Sequence, residues 1–313
     1  MNGVDTAVLL ISHGSSLSYS KKVFEEICEK FKKRTGLDAE VGYMKVEDPD
    51  IFQAARILKK RNPDLKRIIA LPVFLADGIH TLIDIPMMLG FEPKEIDPRH
   101  PDGIYPESHY LHDLKPVNFE GEIILLDSIG PNPKLVDIIN KRVEEALNTS
   151  NKDDAKTGVL ILSHGSRLRY NKEFLMALFE QYENQAKYPS NYGFMELSEP
   201  NIPDSANLLI KRDNLERLVV IPVFIAPGMH TKIEIKAILN LIHENEKKNR
   251  SKPKNNNIKE IKINKIILEE DPDHAHKYDE TVDFEGEILY PDPIGADDIL
   301  IEILEDMVKE ALE

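Results

Sequence analysis

The stretch Leu9-Leu10-Ile11-Ser12-His13-Gly14-Ser15-Ser16-Leu17-Ser18-Tyr19 returns later in the chain as Leu160-Ile161-Leu162-Ser163-His164-Gly165-Ser166-Arg167-Leu168-Arg169-Tyr170. Each copy is a short apolar run that ends in His-Gly-Ser. A run of this length bounded by turn residues reads as a strand covered on both faces, the kind found in parallel sheets. A second pair of stretches repeats the relation: Pro72-Val73-Phe74-Leu75-Ala76-Asp77-Gly78-Ile79-His80-Thr81 and Pro222-Val223-Phe224-Ile225-Ala226-Pro227-Gly228-Met229-His230-Thr231. The second His follows the first by 67 residues in one copy and by 66 in the other. A period this long is not that of a solenoid, whose units run roughly 20–50 residues. The chain reads as one α/β unit written twice.

Strands and helices alternate outward from these points. In the first half, strands are expected at Ala7–Ser12, Glu40–Val46, Ile68–Leu75 and Glu122–Leu126. Helices are expected through Val23–Phe31 up to Gly36, over Ile51–Lys60, and over Lys134–Leu147. Thr81–Leu89 is helical in pattern but contains Pro86, so it either kinks or starts late. The second half repeats this order: strands at Val159–Ser163, Tyr192–Leu197 and Leu218–Ile225, helices at Asp204–Lys211, Thr231–His243 and Ile299–Leu312. Phe284-Glu285-Gly286-Glu287-Ile288 answers Phe119-Glu120-Gly121-Glu122-Ile123. The fold class is therefore α/β: two similar domains, each a mostly parallel β-sheet flanked by helices, with sites at the carboxyl ends of the strands. The expected division is 1–150 and 151–313, joined through the polar Asn148–Lys156. An insertion at about 244–280, Lys- and Asn-rich over Glu244–Lys262, reads as an exposed loop. Each half is long enough to bury its own core.

Composition narrows the functions. The 313 residues are 41% hydrophobic and 30% charged, as in a soluble globular protein, with a formal charge of −15. That charge argues against broad nucleic-acid binding and means that an anionic ligand must be held by local positive groups. A single cysteine, Cys28, cannot build a disulfide or a Cys-based metal centre within one chain and reads as a core residue. Neither a signal peptide nor an apolar run of membrane-spanning length is evident, so the expected setting is cytoplasmic, without a membrane partner.

The motifs place two imidazoles at strand exits in each half. All strand ends of a parallel sheet emerge on one side, so His13 is expected to face His80, and His164 to face His230. Two neutral imidazoles suit divalent cobalt, nickel or iron. Two ligands alone leave coordination positions open, which favours handing a metal on over storing it. The helices that follow each His could present N–H groups to carboxylates. An acidic residue precedes Pro at a third strand-to-helix crossing, as Asp48-Pro49 and Glu199-Pro200, and could serve the site or merely cap a helix.

At these residues the chain resembles the small class II chelatases of the sirohydrochlorin cobaltochelatase and nickelochelatase (CbiX-like) family. The similarity runs through His164-Gly165-Ser166-Arg167, Tyr170-Asn171-Lys172, Gly193-Phe194-Met195-Glu196, Glu199-Pro200, Pro222–His230 and Pro293-Ile294-Gly295-Ala296-Asp297-Asp298. In the first half it runs through His13-Gly14-Ser15, Gly42-Tyr43-Met44, Asp48-Pro49 and Pro72–His80, and it leaves out about 91–118 and 244–280. The resemblance implies a fused, duplicated chelatase: a lyase that inserts cobalt or nickel into sirohydrochlorin without ATP, in cobalamin or related tetrapyrrole biosynthesis. Iron insertion for sirohaem is the variant of that reading. It implies metal binding by His164, His230, His13 and His80, with His164 and His13 as catalytic proton acceptors. It implies substrate contacts at Glu199, Ile225, Ala226, Pro227, Gly228, Met229 and His230, with counterparts at Asp48, Leu75, Ala76, Asp77, Gly78, Ile79 and His80, and Arg167 as a positive contact. No permanent cofactor is implied; the divalent cobalt, nickel or iron is a substrate. The partner is the tetrapyrrole polycarboxylate, and the chain could act as a monomer or homo-oligomer.

The halves also differ. Ser16 stands against Arg167, Asp48 against Glu199, and Ile129-Gly130-Pro131-Asn132 against Ile294-Gly295-Ala296-Asp297. The second half is therefore the expected catalytic half. Two rival readings are a non-catalytic metal carrier, with ligands added from His109–His112 or Asp273–His276, and a hydrolase built on Ser15 or Ser166. The latter lacks a Gly-x-Ser-x-Gly elbow. His100, His109, His112, His243, His274 and His276 otherwise read as exposed.

Overall fold

A computed structural model describes residues 5–15, 18–241 and 280–313. The first half runs β1 (Thr6–Ser12), α1 (Ser18–Thr35), β2 (Asp38–Tyr43), α2 (Ile51–Arg61), β3 (Arg67–Pro72), a π-helical turn (His80–Asp84), α3 (Ile85–Leu89), β4 (Glu122–Leu125) and α4 (Lys134–Leu147). The second runs β5 (Thr157–Ser163), α5 (Arg169–Glu183), β6 (Ser190–Phe194), α6 (Ile202–Asp213), β7 (Arg217–Pro222), a π-helical turn (His230–Glu234), α7 (Ile235–Ile238), β8 (Glu287–Leu289) and α8 (Asp298–Leu312). The expected insertion and His243, His274 and His276 lie outside the described residues, apart from the insertion's last residue, Glu280.

Each half holds one four-stranded sheet, ordered β2-β1-β3-β4 and β6-β5-β7-β8. Every strand pair is parallel. All seven residues of β1 and of β5 are buried, because each strand is central and has helices on both faces. The chain turns to one side of β1 for β2 and crosses to the other side for β3. Such a reversal leaves a crevice at the carboxyl ends of β1 and β3, and likewise at β5 and β7. His13 leaves β1 and His80 follows β3, so sheet order alone brings both histidines to that crevice.

The expectation that each half buries its own core is corrected by the packing between the sheets. Helices α1, α4, α5 and α8 form a shared central layer, whose apolar cluster joins Leu10, Phe31 and Ile139 to Ile161, Leu178 and Leu304. Helix α4 of the first half packs on β7, and α8 of the second half packs on β3. The last helix of each half thus lies on the other half's sheet. Two smaller clusters sit on the outer faces, under α2 and α3 and under α6 and α7. Ion pairs reinforce the exchange: Asp297, at the start of α8, takes Lys141 Nζ at 2.7 Å and Arg142 Nη2 at 3.2 Å.

Several element boundaries move. The strands expected to reach Val46 and Leu197 stop at Tyr43 and Phe194, because the chain turns there through positive φ at Val46 and Leu197. The helix over Thr81–Leu89 is one π turn joined to a short α-helix. Its Ile85 N–H bonds His80 O, and Pro86 sits at the start of α3, where a missing N–H is tolerated. Helix α7 follows the same plan but ends at Ile238, short of the expected His243, and Asn240 follows with φ 60°.

Candidate metal-handling site

Gly14 and Gly165 shape the base of each site. Both have positive φ, 85° and 92°. A Cβ at Gly14 would lie 2.0 Å from Lys45 O, and one at Gly165 would lie 1.7 Å from Glu196 O. Only glycine allows that approach. It lets the loop after β2 dock through the Lys45 N–H on His13 O, at 3.1 Å, and the loop after β6 through the Glu196 N–H on His164 O, at 3.0 Å. The residue beside each histidine is therefore set by this docking.

The imidazoles meet as expected. The His164 and His230 rings lie 4.6 Å apart, those of His13 and His80 4.8 Å apart. His164 Nε2 and His230 Nε2 are 3.2 Å apart. His164 Nδ1 donates to Gly165 O at 2.9 Å, and His230 Nδ1 donates to the Glu234 carboxylate at 2.7 Å. Both acceptors lack protons to give, so each ring carries its proton on Nδ1 and turns an Nε2 lone pair toward the other. Two lone pairs this close repel one another and attract a cation. An ion about 2.0–2.1 Å from each nitrogen, the ordinary imidazole–metal distance, would see them roughly 100–106° apart. Burial and the neighbouring His230 hold the His164 pKa below its usual value, so protons compete weakly for that lone pair. His13 is pushed down to about 4 by burial and then by His80, despite being the most open of the four rings.

Three carboxylates at these sites were absent from the expected set. Asp84 and Glu234 are fully buried and fix the orientation of His80 and His230, Asp84 at 2.5 Å from His80 Nδ1. Orienting carboxylates of this kind raise the basicity of a metal-binding imidazole. A readable signal existed: His-x-x-x-Asp and His-x-x-x-Glu stand at the same place in both copies. Residues four apart on a helical turn share a face, which is why each pair meets. The third is Glu196, whose Oε1 lies 3.5 Å from His164 Nε2. Among the described residues no three such groups already converge as a closed metal cage. Two nitrogens are in place, with one carboxylate beside them.

The halves part at this third position. Lys45 occupies the place of Glu196, and its ammonium lies 4.5 Å from the centre of the Tyr110 ring. The segment after α3, which the family resemblance left out, folds over the first site. From it Arg99 and Tyr110 both donate to Asp84, Arg99 also bonds Asp97, and Tyr105 Oη donates to Asp97 at 3.0 Å. Burial works to raise the Asp84 pKa, but the bonds from His80, Arg99 and Tyr110 outweigh it and hold the carboxyl below its usual range. His100 and His109 are half-buried against Tyr105 instead of exposed.

A cleft of about 550 Å³ opens beside Glu196, lined by Arg167, Arg169, Lys172 and Glu199 among others. Glu199 accepts the Asn201 N–H at 3.0 Å on its rim, and its peptide bond to Pro200 is cis, as is Asp48-Pro49. Asp48 borders a separate cleft with Arg56 and Lys60. The loop from Leu75 to Ile79 and its counterpart from Ile225 to Met229 lead into the second histidines. Ile225 and Ala226, like Leu75 and Ala76, pack in the central core, and Met229 is buried. Gly78 and Gly228 each donate N–H to the Thr after the histidine, at 2.9 Å. Asp77 accepts from Thr81 at 3.3 Å, and Pro227 faces a cleft between the halves. The helix-end N–H groups expected to hold carboxylates after His164 are already taken: Gly165 bonds Asn171, Ser166 bonds Ser198, and Leu168 bonds Ser166 Oγ. Ser166 Oγ accepts the Leu168 N–H at 3.0 Å in a local turn.

The CbiX family model matches twice, over residues 7–146 and 158–311. The chain belongs to the CbiX family. Curated relatives include the sirohydrochlorin cobaltochelatase of Methanopyrus kandleri, 37% identical over 142 residues that span 45% of this chain and 96% of that protein. That of Methanothermobacter thermautotrophicus is 34% identical over 53% of this chain and all of its own length. Relatives of this length correspond to about half of the present chain, as the duplication requires. Among solved structures, Bacillus subtilis SirB with Fe3+ shares the fold at a TM-score of 0.62 and 14% identity, covering 98% of this chain and 95% of that one. Among the described residues no helix is long and apolar enough to cross a membrane.

Proposed function

We propose that this chain inserts a divalent metal, cobalt or nickel, into sirohydrochlorin without ATP, and that the pair His164 and His230 of the second half does the work. The carrying observation is the 3.2 Å approach of two Nε2 atoms whose outer nitrogens are both tied to acceptors. The named activity of the curated relatives supports the substrate. His164 and His230 load the hydrated ion through Nε2, and Glu196 adds a carboxylate from the cleft side. Arg167, Arg169 and Lys172 hold the acid groups of the tetrapyrrole against the protein's own negative field, with Glu199 and the loop Ile225–Met229 bordering the ring. When ring nitrogens displace the imidazoles, two pyrrole protons must leave. His164, just freed of metal, and Glu196 are the acceptors within reach. Holding ion and ring in one cleft supplies the proximity gain. We further propose that the join between the duplicated units falls in 148–156 and that the setting is the cytoplasm.

Absorbance of purified protein with sirohydrochlorin and cobalt tests this reading. The double variant His164→Ala, His230→Ala should lose at least about 100-fold in insertion rate, since both metal loading and proton acceptance go. Insertion at the wild-type rate by that variant would end the reading, and cobalt binding without any change in the tetrapyrrole spectrum would favour a metal carrier.

A further inference from the structure

We propose that Leu197 is a substrate contact, an apolar seat for one face of the tetrapyrrole ring in the second-half cleft. The inference rests on the reading that the second half takes the ring. Leu197 has φ 60° and is 54% exposed. Left-handed backbone suits Gly, Asn or Asp and is strained for a bulky apolar side chain. Exposure adds a second cost, because an apolar side chain left in water forgoes the gain of burial. Neither feature serves the fold. The turn is enforced from both sides: Glu196 docks its N–H on His164 O at 3.0 Å, while Ser198 Oγ accepts the Ser166 N–H at 3.1 Å and donates to Ser166 O at 3.0 Å. With its neighbours fixed, Leu197 lines the cleft of about 550 Å³ instead of entering the core. Leu168, just before α5, is the other apolar residue of that lining, and Arg167, Arg169 and Lys172 add positive charge beside it. A tetrapyrrole polycarboxylate has apolar ring faces and acid groups at its edge, and it matches both features at once. The carboxylate of the preceding residue, Glu196, is 3.5 Å from His164 Nε2, so a ring resting on Leu197 lies beside the metal pair. The first half sets Val46 in the same place, with φ 67° and 76% exposure. It has Ser16 and Ser18 where the second half has Arg167 and Arg169, so it offers an apolar tip without those two cations.

Titration of the metal-free, full-length protein with sirohydrochlorin, followed by the absorption of the tetrapyrrole, reads the contact without insertion. Leu197→Asn puts in a residue that tolerates the left-handed turn and takes away the apolar seat. Ring binding should weaken about tenfold, the loss of much of one leucine's burial, with cobalt affinity unchanged and a urea midpoint no lower than wild type. Leu197→Gly should lose ring affinity likewise. Leu197→Met, which keeps apolar volume, should bind within about twofold of wild type. In the insertion assay Leu197→Asn should raise KM for sirohydrochlorin and leave kcat unchanged, the pattern of binding lost equally before and during reaction. Val46→Asn should leave ring affinity unchanged. Wild-type ring affinity in Leu197→Asn and Leu197→Gly, or an equal loss from Val46→Asn, would overturn the inference. The wider reading is judged separately: wild-type protein that binds the ring in this way yet inserts no cobalt would end that reading and leave the contact standing.

Discussion

The two sites of this chain share a backbone and differ in charge. Both start from a buried central strand, a His-Gly turn and a histidine opening a π turn. Both orient the second histidine with a buried carboxylate four residues on. They diverge at one docked side chain, Glu196 against Lys45, and in the first site Arg99 and Tyr110 donate to the buried carboxylate.

The sharpest way to break this contrast is to move the difference across. Glu196→Lys should convert the second site to the first's charge pattern and lower cobalt affinity by about 100-fold or more, with insertion falling in step; calorimetry and the absorbance assay measure both. An unchanged affinity would show that the residue at this position is irrelevant.

The buried carboxylates sharpen it further, because the same kind of group has different work in each half. Glu234→Gln should weaken cobalt binding by about 10–100-fold, the usual result of removing an orienting partner from a metal-binding histidine. Asp84→Asn should leave cobalt binding by His164 and His230 unchanged and instead cost roughly 3–5 kcal/mol of stability, since it leaves Arg99 half-paired in a buried network. Urea midpoints of the two variants distinguish the outcomes, and a fall in cobalt binding for Asp84→Asn would contradict the division of labour.

The smallest effect is in titration. His13 should stay neutral to about pH 4, against the 6.5 of an ordinary imidazole, because burial and His80 disfavour its charge. A depressed pKa contributes stability that is present above 6.5 and is lost as pH falls from there toward 4. Imidazole chemical shifts followed by NMR check the midpoint, and a midpoint near 6.5 would refute the enclosure of this ring.

Local signals carried much of this protein. Leu9–Ser12 and Leu160–Ser163 announce buried strands, Gly14 and Gly165 announce a tight turn, and the repeat announces duplication, because strand burial and turn geometry depend on near neighbours. The histidine pairing followed from parallel topology without any coordinate. Tertiary structure alone decided three things: that α4 and α8 cross to the opposite sheets, that Arg99 and Tyr110 close on Asp84, and that Lys45 and Glu196 stand at their histidines. Each depends on groups brought together across more than ten residues of intervening chain by crossovers and packing. Residue order encodes such meetings only through the whole fold, and no short window of sequence contains them.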